Sequence, residues 1–146
     1  MNREFMYKAL DLANKALKEG EVPVGAVIVK DGKIIAEGRN MREAKRNALS
    51  HAEIEAINNA CKALNSWRLD DCEMYVTLEP CPMCAGAIIN ARIKTLIFGA
   101  FDLKAGSVDS VVNLLDYPYN HKVEVYGGIL EEECQKPLKE FFENLR

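Results

Sequence analysis

A chain of 146 residues, 49% of them hydrophobic, can enclose one substantial core, and the expected organisation is a single domain over residues 1–146. A net charge of −3 argues weakly against a nucleic-acid binder that is basic throughout, and no apolar run of about 18 residues is present to span a membrane. The odd count of five cysteines, behind a charged opening MNREFMYKAL with no signal-peptide core, implies reduced thiols in a cytoplasmic protein rather than a disulfide framework.

Phe5, Met6, Ala9, Leu10, Ala13, Ala16 and Leu17 recur at helical spacing, and Gly20 marks where that helix stops. VPVGAVIVKDGKIIAEG reads as a hairpin, with a buried run from Val24 to Val29, an Asp31-Gly32 turn and a second strand through Ile34 and Ile35. Arg39 to Asn47 is a polar connector. SHAEIEAINNACKAL reads as a second helix with Ile54, Ile57, Cys61 and Leu64 along one face. EMYVTL is a short strand ending at EPCP, PMCAGAIINARI a third helix and KTLIFGA a further buried strand. VDSVVNLLD is expected as a brief helix and HKVEVYGG as a last strand. LEEECQKPLKEFFENLR closes the chain as a helix that Pro137 should kink or restart. Helices alternating with short strands after a hairpin predict an α/β sandwich with helices covering a mostly buried sheet.

Charge is unevenly spread. From Lys30 to Arg46 six bases face three acids, and from Glu124 to Arg146 six acids face three bases. Each stretch is an ordinary solvated face unless something else points to a polyanion, in which case the basic one becomes a phosphate-facing patch.

The chemistry concentrates in PCPMC. Cys81 and Cys84 stand three apart at a helix start, with Pro82 suited to the first helical position, so both sulfurs can face one metal ion. The helix N-terminus favours the thiolate, the form that binds metal. A redox pair is the main rival, but its usual thioredoxin-like setting does not match this strand order. Cys61 lies about 15 Å along a helix from His51, so either can join the cysteines, but hardly both. Cys72 is at the far end of its strand, Cys134 reads as a small buried hydrophobe, and His121 as a surface or hydrogen-bonding histidine.

His51 opens a helix as Cys81 does, and Glu53 follows two residues later. Three ligands, His51, Cys81 and Cys84, leave a fourth zinc position for water, whose pKa falls to around 7. Glu53, beside the metal but not bound to it, could shuttle protons. Taken alone, Ser50-His51-Ala52-Glu53 reads better as a capping box. Its joint occurrence with P-C-x-x-C favours the metal site.

His51-Ala52-Glu53 with Pro80-Cys81-Pro82-Met83-Cys84 resembles the H-x-E…P-C-x-x-C pattern of zinc-dependent deaminases. EVPVGAVIV, HAEIEAI, MYVTLEPCPMCAGAI, FGAFDLKAGS and NHKVEVYGGILEEEC extend the resemblance, almost end to end, to the bacterial tRNA-specific adenosine deaminases. MREAKRNALSHAE departs from that family in lacking Asp-Pro-Thr before the histidine. The resemblance implies a three-layer α/β/α cytidine-deaminase-like fold with a five-stranded mixed sheet, a homodimer, and one Zn2+ per subunit. It implies hydrolysis of adenosine to inosine at the wobble position of a tRNA anticodon loop, with Glu53 catalytic and Asn40, Ala52 and Asp102 contacting substrate. A deaminase of a free base or nucleoside, of guanine or cytosine type, is the nearest alternative; a non-catalytic zinc-structured binding module is the more distant one.

Overall fold

The computed structural model describes residues 1–145. Helix α1 (Arg3–Lys18) is followed by strands β1 (Gly25–Lys30) and β2 (Lys33–Arg39), short helix α2 (Arg42–Lys45), α3 (Ala52–Leu64), β3 (Cys72–Leu78), α4 (Pro82–Asn90), β4 (Thr95–Ala100), β5 (Glu124–Tyr126) and α5 (Glu131–Glu143). The five strands form one sheet in the order β2-β1-β3-β4-β5. β1 runs antiparallel to β2 and β3, whereas β3, β4 and β5 are mutually parallel, so the sheet is mixed as expected. Asp31 and Gly32 both take positive φ, 52° and 74°, which suits the tight turn of the opening hairpin.

Alternation along the central strands sorts side chains into two cores. Ala26, Ile28, Met74, Val76, Leu96 and Phe98 face α3 and α4. Val27, Val29, Tyr75 and Ile97 face α1 and α5 on the opposite side. The result is a three-layer α/β/α sandwich. No described helix is long and apolar enough to cross a membrane.

Several local expectations give way to packing. On α3 the fully buried residues are Ala52, Ala56 and Ala60, with Ile57 close behind, while Ile54, Cys61 and Leu64 are only half-buried. The small residues win because α3 lies directly on β2: a Cβ on Gly38 would overlap the backbone of Ala52 and Ala56. The polar connector contains the single turn α2. The helix expected over VDSVVNLLD shrinks to a 3-10 turn at Leu114–Asp116, because the amides of Val108, Asp109 and Ser110 go to a distant carboxylate instead. α5 runs through Pro137 without restarting. The carbonyl deprived of its partner belongs to Glu133, an exposed residue, so water can replace the missing bond.

The ends of β2, β3 and β4 and the start of β1 share one edge of the sheet, as the pairings Gly25↔Arg39, Ala26↔Val76 and Leu78↔Ala100 require. This is the carboxyl edge of the parallel strands, where open α/β sheets place their ligands. α3 reaches it only because Gly38 lets it lie close. Gly38→Ala is therefore expected to destabilise the protein by about 1–3 kcal/mol through overpacking, read as a lower urea midpoint with unchanged slope.

Candidate metal centre and cleft

His51 and Cys81 are the N-cap residues of α3 and α4, both in extended backbone (φ −72°, ψ 157° and φ −74°, ψ 175°). Neither uses its side chain to cap its own helix. The capping box that SHAE suggests does not form: His51, not Ser50, is the cap. Both side chains instead project to one point at the carboxyl edge. His51 Nδ1 lies 3.6 Å from Cys81 Sγ and 3.7 Å from Cys84 Sγ. Cys84, one turn into α4, completes a cluster whose ligand atoms all lie within 4.8 Å of one another.

These separations fit a metal. Zn–S bonds of about 2.3 Å and Zn–N bonds of about 2.0 Å at tetrahedral angles put ligand atoms roughly 3.5–3.8 Å apart. One imidazole and two thiols also make a donor set that selects zinc over hard cations. Electrostatics agree. Cys81 is lowered to about 4, chiefly by its hydrogen bond with Cys84 and next by His51, against the opposing effect of burial. Cys84 is pushed up, first by that same bond with Cys81 and then by burial. His51 is raised, mainly by its contact with Cys81.

Glu53 sits in the first turn of α3 and is buried, with 4% exposure. Burial pushes its carboxyl up to about 7, and the nearby Cys81 thiolate adds to the effect. Together with His51, Ala52 and Cys81 it lines a cleft of about 170 Å³, walled by Val22, Val24 and Leu78. A space of that size suits one heterocyclic base rather than a larger ligand. Cys84 lies behind the wall, fully buried.

Asn40 and Asp102 border the same cleft, so every residue singled out in the sequence as ligand, catalyst or substrate contact gathers here. Both also hold backbone. Asn40 donates from Nδ2 to the Val22 carbonyl and accepts the Arg42 amide on Oδ1. Asp102 Oδ1 accepts the amides of Lys104 and Ala105, a turn cap. The other three cysteines stand apart: Cys61 contacts the Trp67 carbonyl, Cys72 begins β3 at the opposite edge, and Cys134 packs in the second core. His121 hydrogen-bonds the Ile93 carbonyl through Nε2.

Two further buried carboxylates, Glu21 and Glu79, brace loops beside the cleft, and no role for either is evident from the sequence. Glu21 accepts the amides of Glu43 and Ala44, so it caps α2 from outside and holds the loop that carries Arg42 to the cleft. Glu79 follows β3 and binds the loop on the other side. The only signal for Glu79 is its place between a buried strand and PCPMC.

Over residues 1–146 the sequence matches the MafB19-like deaminase family. It is 50% identical over 143 residues to the tRNA-specific adenosine deaminase of Bacillus subtilis (strain 168), covering 97% of this chain and 89% of that protein. A solved deaminase from studies of A-to-I editing at the wobble position of transfer RNA superposes with a TM-score of 0.91 at 44% identity, covering 94% of this chain and 100% of the other. A guanine deaminase from Bacillus subtilis superposes less closely, with a TM-score of 0.67 at 37% identity over 99% of this chain and 95% of that one. The fold and cluster are those of the zinc-dependent deaminases. Within them, the chain belongs to the family of bacterial tRNA-specific adenosine deaminases.

Purified protein should carry close to one equivalent of metal by plasma mass spectrometry. His51→Ala or Cys81→Ala should lose it, and Cys61→Ala should keep it.

Proposed function

We propose that the chain converts adenosine to inosine at the wobble position of tRNA anticodons by zinc-dependent hydrolysis. The observation that carries this reading is the convergence of His51, Cys81, Cys84 and buried Glu53 on one base-sized cleft. His51, Cys81 and Cys84 hold one zinc ion per subunit. When bound, zinc supplies Lewis acidity and makes hydroxide accessible near neutral pH.

Glu53 accepts a proton from the attacking water, passes it to the ring nitrogen, and helps protonate departing ammonia, so adenosine and water give inosine and ammonia. The Ala52 amide, in the first turn of α3, has no intrahelical acceptor and is free to donate to the base. Asn40 fixes the strand-end wall and retains a lone pair on Oδ1 for substrate. Asp102 faces the RNA at the rim. A base inside a loop reaches such a cleft only when splayed from its neighbours, which unpaired anticodon nucleotides allow. A cytoplasmic homodimer follows from the family resemblance.

The likeness to a guanine deaminase favours a free base as the second reading. Incubating the protein with an anticodon stem-loop and with free bases, then measuring inosine and ammonia, separates the two. Inosine at the wobble position supports tRNA editing; ammonia from free bases alone overturns it.

Glu53→Ala should retain metal and lose turnover by at least about 100-fold. Loss of the metal, or turnover near the parent's, would contradict the proton-transfer role.

The basic segment from Arg39 to Arg46 is partly engaged already. Arg39 pairs with Glu19 through two nitrogens, and Lys45 pairs with Glu55. Arg42 lines the cleft mouth. Replacing Arg42, Lys45 and Arg46 with alanine should weaken stem-loop binding and flatten its salt dependence, by about 0.7 in the logarithmic slope for each phosphate no longer neutralised. Arg42→Ala alone should account for most of the change, and an unaltered slope in the triple variant would refute phosphate steering.

A further inference from the structure

The segment from Asp102 to Ser110 forms one wall of the cleft with neither helix nor strand, so its amides need partners from elsewhere. Glu79 supplies them. Its Oε1 accepts the Asp102 amide at 3.0 Å and the Ser110 hydroxyl. Its Oε2 accepts the amides of Val108, Asp109 and Ser110 at 3.3, 2.8 and 2.8 Å. Three successive amides converging on one oxygen make an anion nest, filled here by the protein's own carboxylate.

Glu79 is 2% exposed and has no lysine or arginine partner among the described residues. Four backbone amides, of Asp102, Val108, Asp109 and Ser110, and the Ser110 hydroxyl satisfy its two oxygens in place of a counter-ion. The fit is close enough that a Cβ on Gly106 would overlap the carboxyl group. The Ser107 amide donates to the Pro80 carbonyl at 2.8 Å, tying the same loop to the residue before Cys81.

We propose that Glu79 is a positioning residue for the RNA substrate: its carboxylate fixes Asp102 and the turn after it at the cleft mouth, and so governs substrate affinity more than the chemical step. The proposal rests on the tRNA-editing reading. A loop held in its binding conformation loses less entropy when RNA docks. Glu79 borders the cleft, but both its carboxylate oxygens are taken up by the loop's donors, so it works through Asp102.

Glu79→Gln tests this, because it keeps the shape but presents N–H groups where the loop amides also donate. On an anticodon stem-loop, KM is expected to rise roughly tenfold or more, with kcat changing far less and metal content unchanged. In an Asp102→Ala background the effect on KM should largely vanish. Amide exchange should accelerate at Asp102, Val108, Asp109 and Ser110 and stay slow in β3 and β4. An unchanged KM, a fall confined to kcat, or unaltered exchange in the loop overturns the proposal. Should Glu79→Gln fail to fold, Ser110→Ala removes one donor and spares the carboxylate. A smaller rise in KM then supports the proposal, and none overturns it. If the parent protein itself does not act on the stem-loop, the substrate reading fails, and the exchange comparison alone decides whether Glu79 anchors the wall.

Discussion

Two helices begin at the same point on the sheet edge, and the rest of the site depends on that meeting. α3 and α4 lie on one face of the sheet, and their cap residues His51 and Cys81 hold extended backbone that aims both side chains at a shared position. A cap residue ordinarily spends its side chain on the helix it opens. Here neither does, so amides in the first turns of both helices remain beside the cluster, although Pro82 at the first position of α4 contributes none. Their partial positive charge favours the Cys81 thiolate and any anion or developing negative charge in the cleft. The distance between the two starts is set by close packing: alanines on α3 and Gly38 on β2 bring the helix down onto the sheet.

Around this floor, the rims are loops, and long-range hydrogen bonds give them their shape. Glu21 holds the loop that carries Arg42, and Glu79 holds the loop that carries Asp102. Each carboxylate is buried and satisfied by backbone amides 22 to 31 residues away in sequence. Buried charges without such donors are costly, so these contacts define the loops as well as filling them. The floor of the cleft is thus made by helix starts and its mouth by internal anions.

That division also decides what is legible in the sequence. The strands are legible because buried runs such as Val24 to Val29 and KTLIFGA are short, β-branched and bounded by turn residues. The metal cluster is legible because C-x-x-C and H-x-E each fix their side chains within one helical turn. The buried face of α3 is not, because bulk suggests burial at Ile54 and Leu64, whereas proximity to Gly38 rewards alanine. Pro137 suggests a break that does not occur, because the bond it removes falls at the exposed Glu133, where water can replace it. Glu21 and Glu79 are hidden for a deeper reason. Their partners are amides, which nearly every residue has, so no residue type elsewhere in the chain marks the contact.

The proposed chemistry requires an ion held by His51, Cys81 and Cys84, with Glu53 close but unbound. X-ray absorption at the zinc edge of the purified protein tests it most directly. Two sulfur and two lighter scatterers are expected, the sulfurs from Cys81 and Cys84 and one nitrogen from His51, with the fourth neighbour exchangeable for solvent or inhibitor. A shell of three or four sulfurs, or one that changes when Glu53 is replaced, would contradict the account.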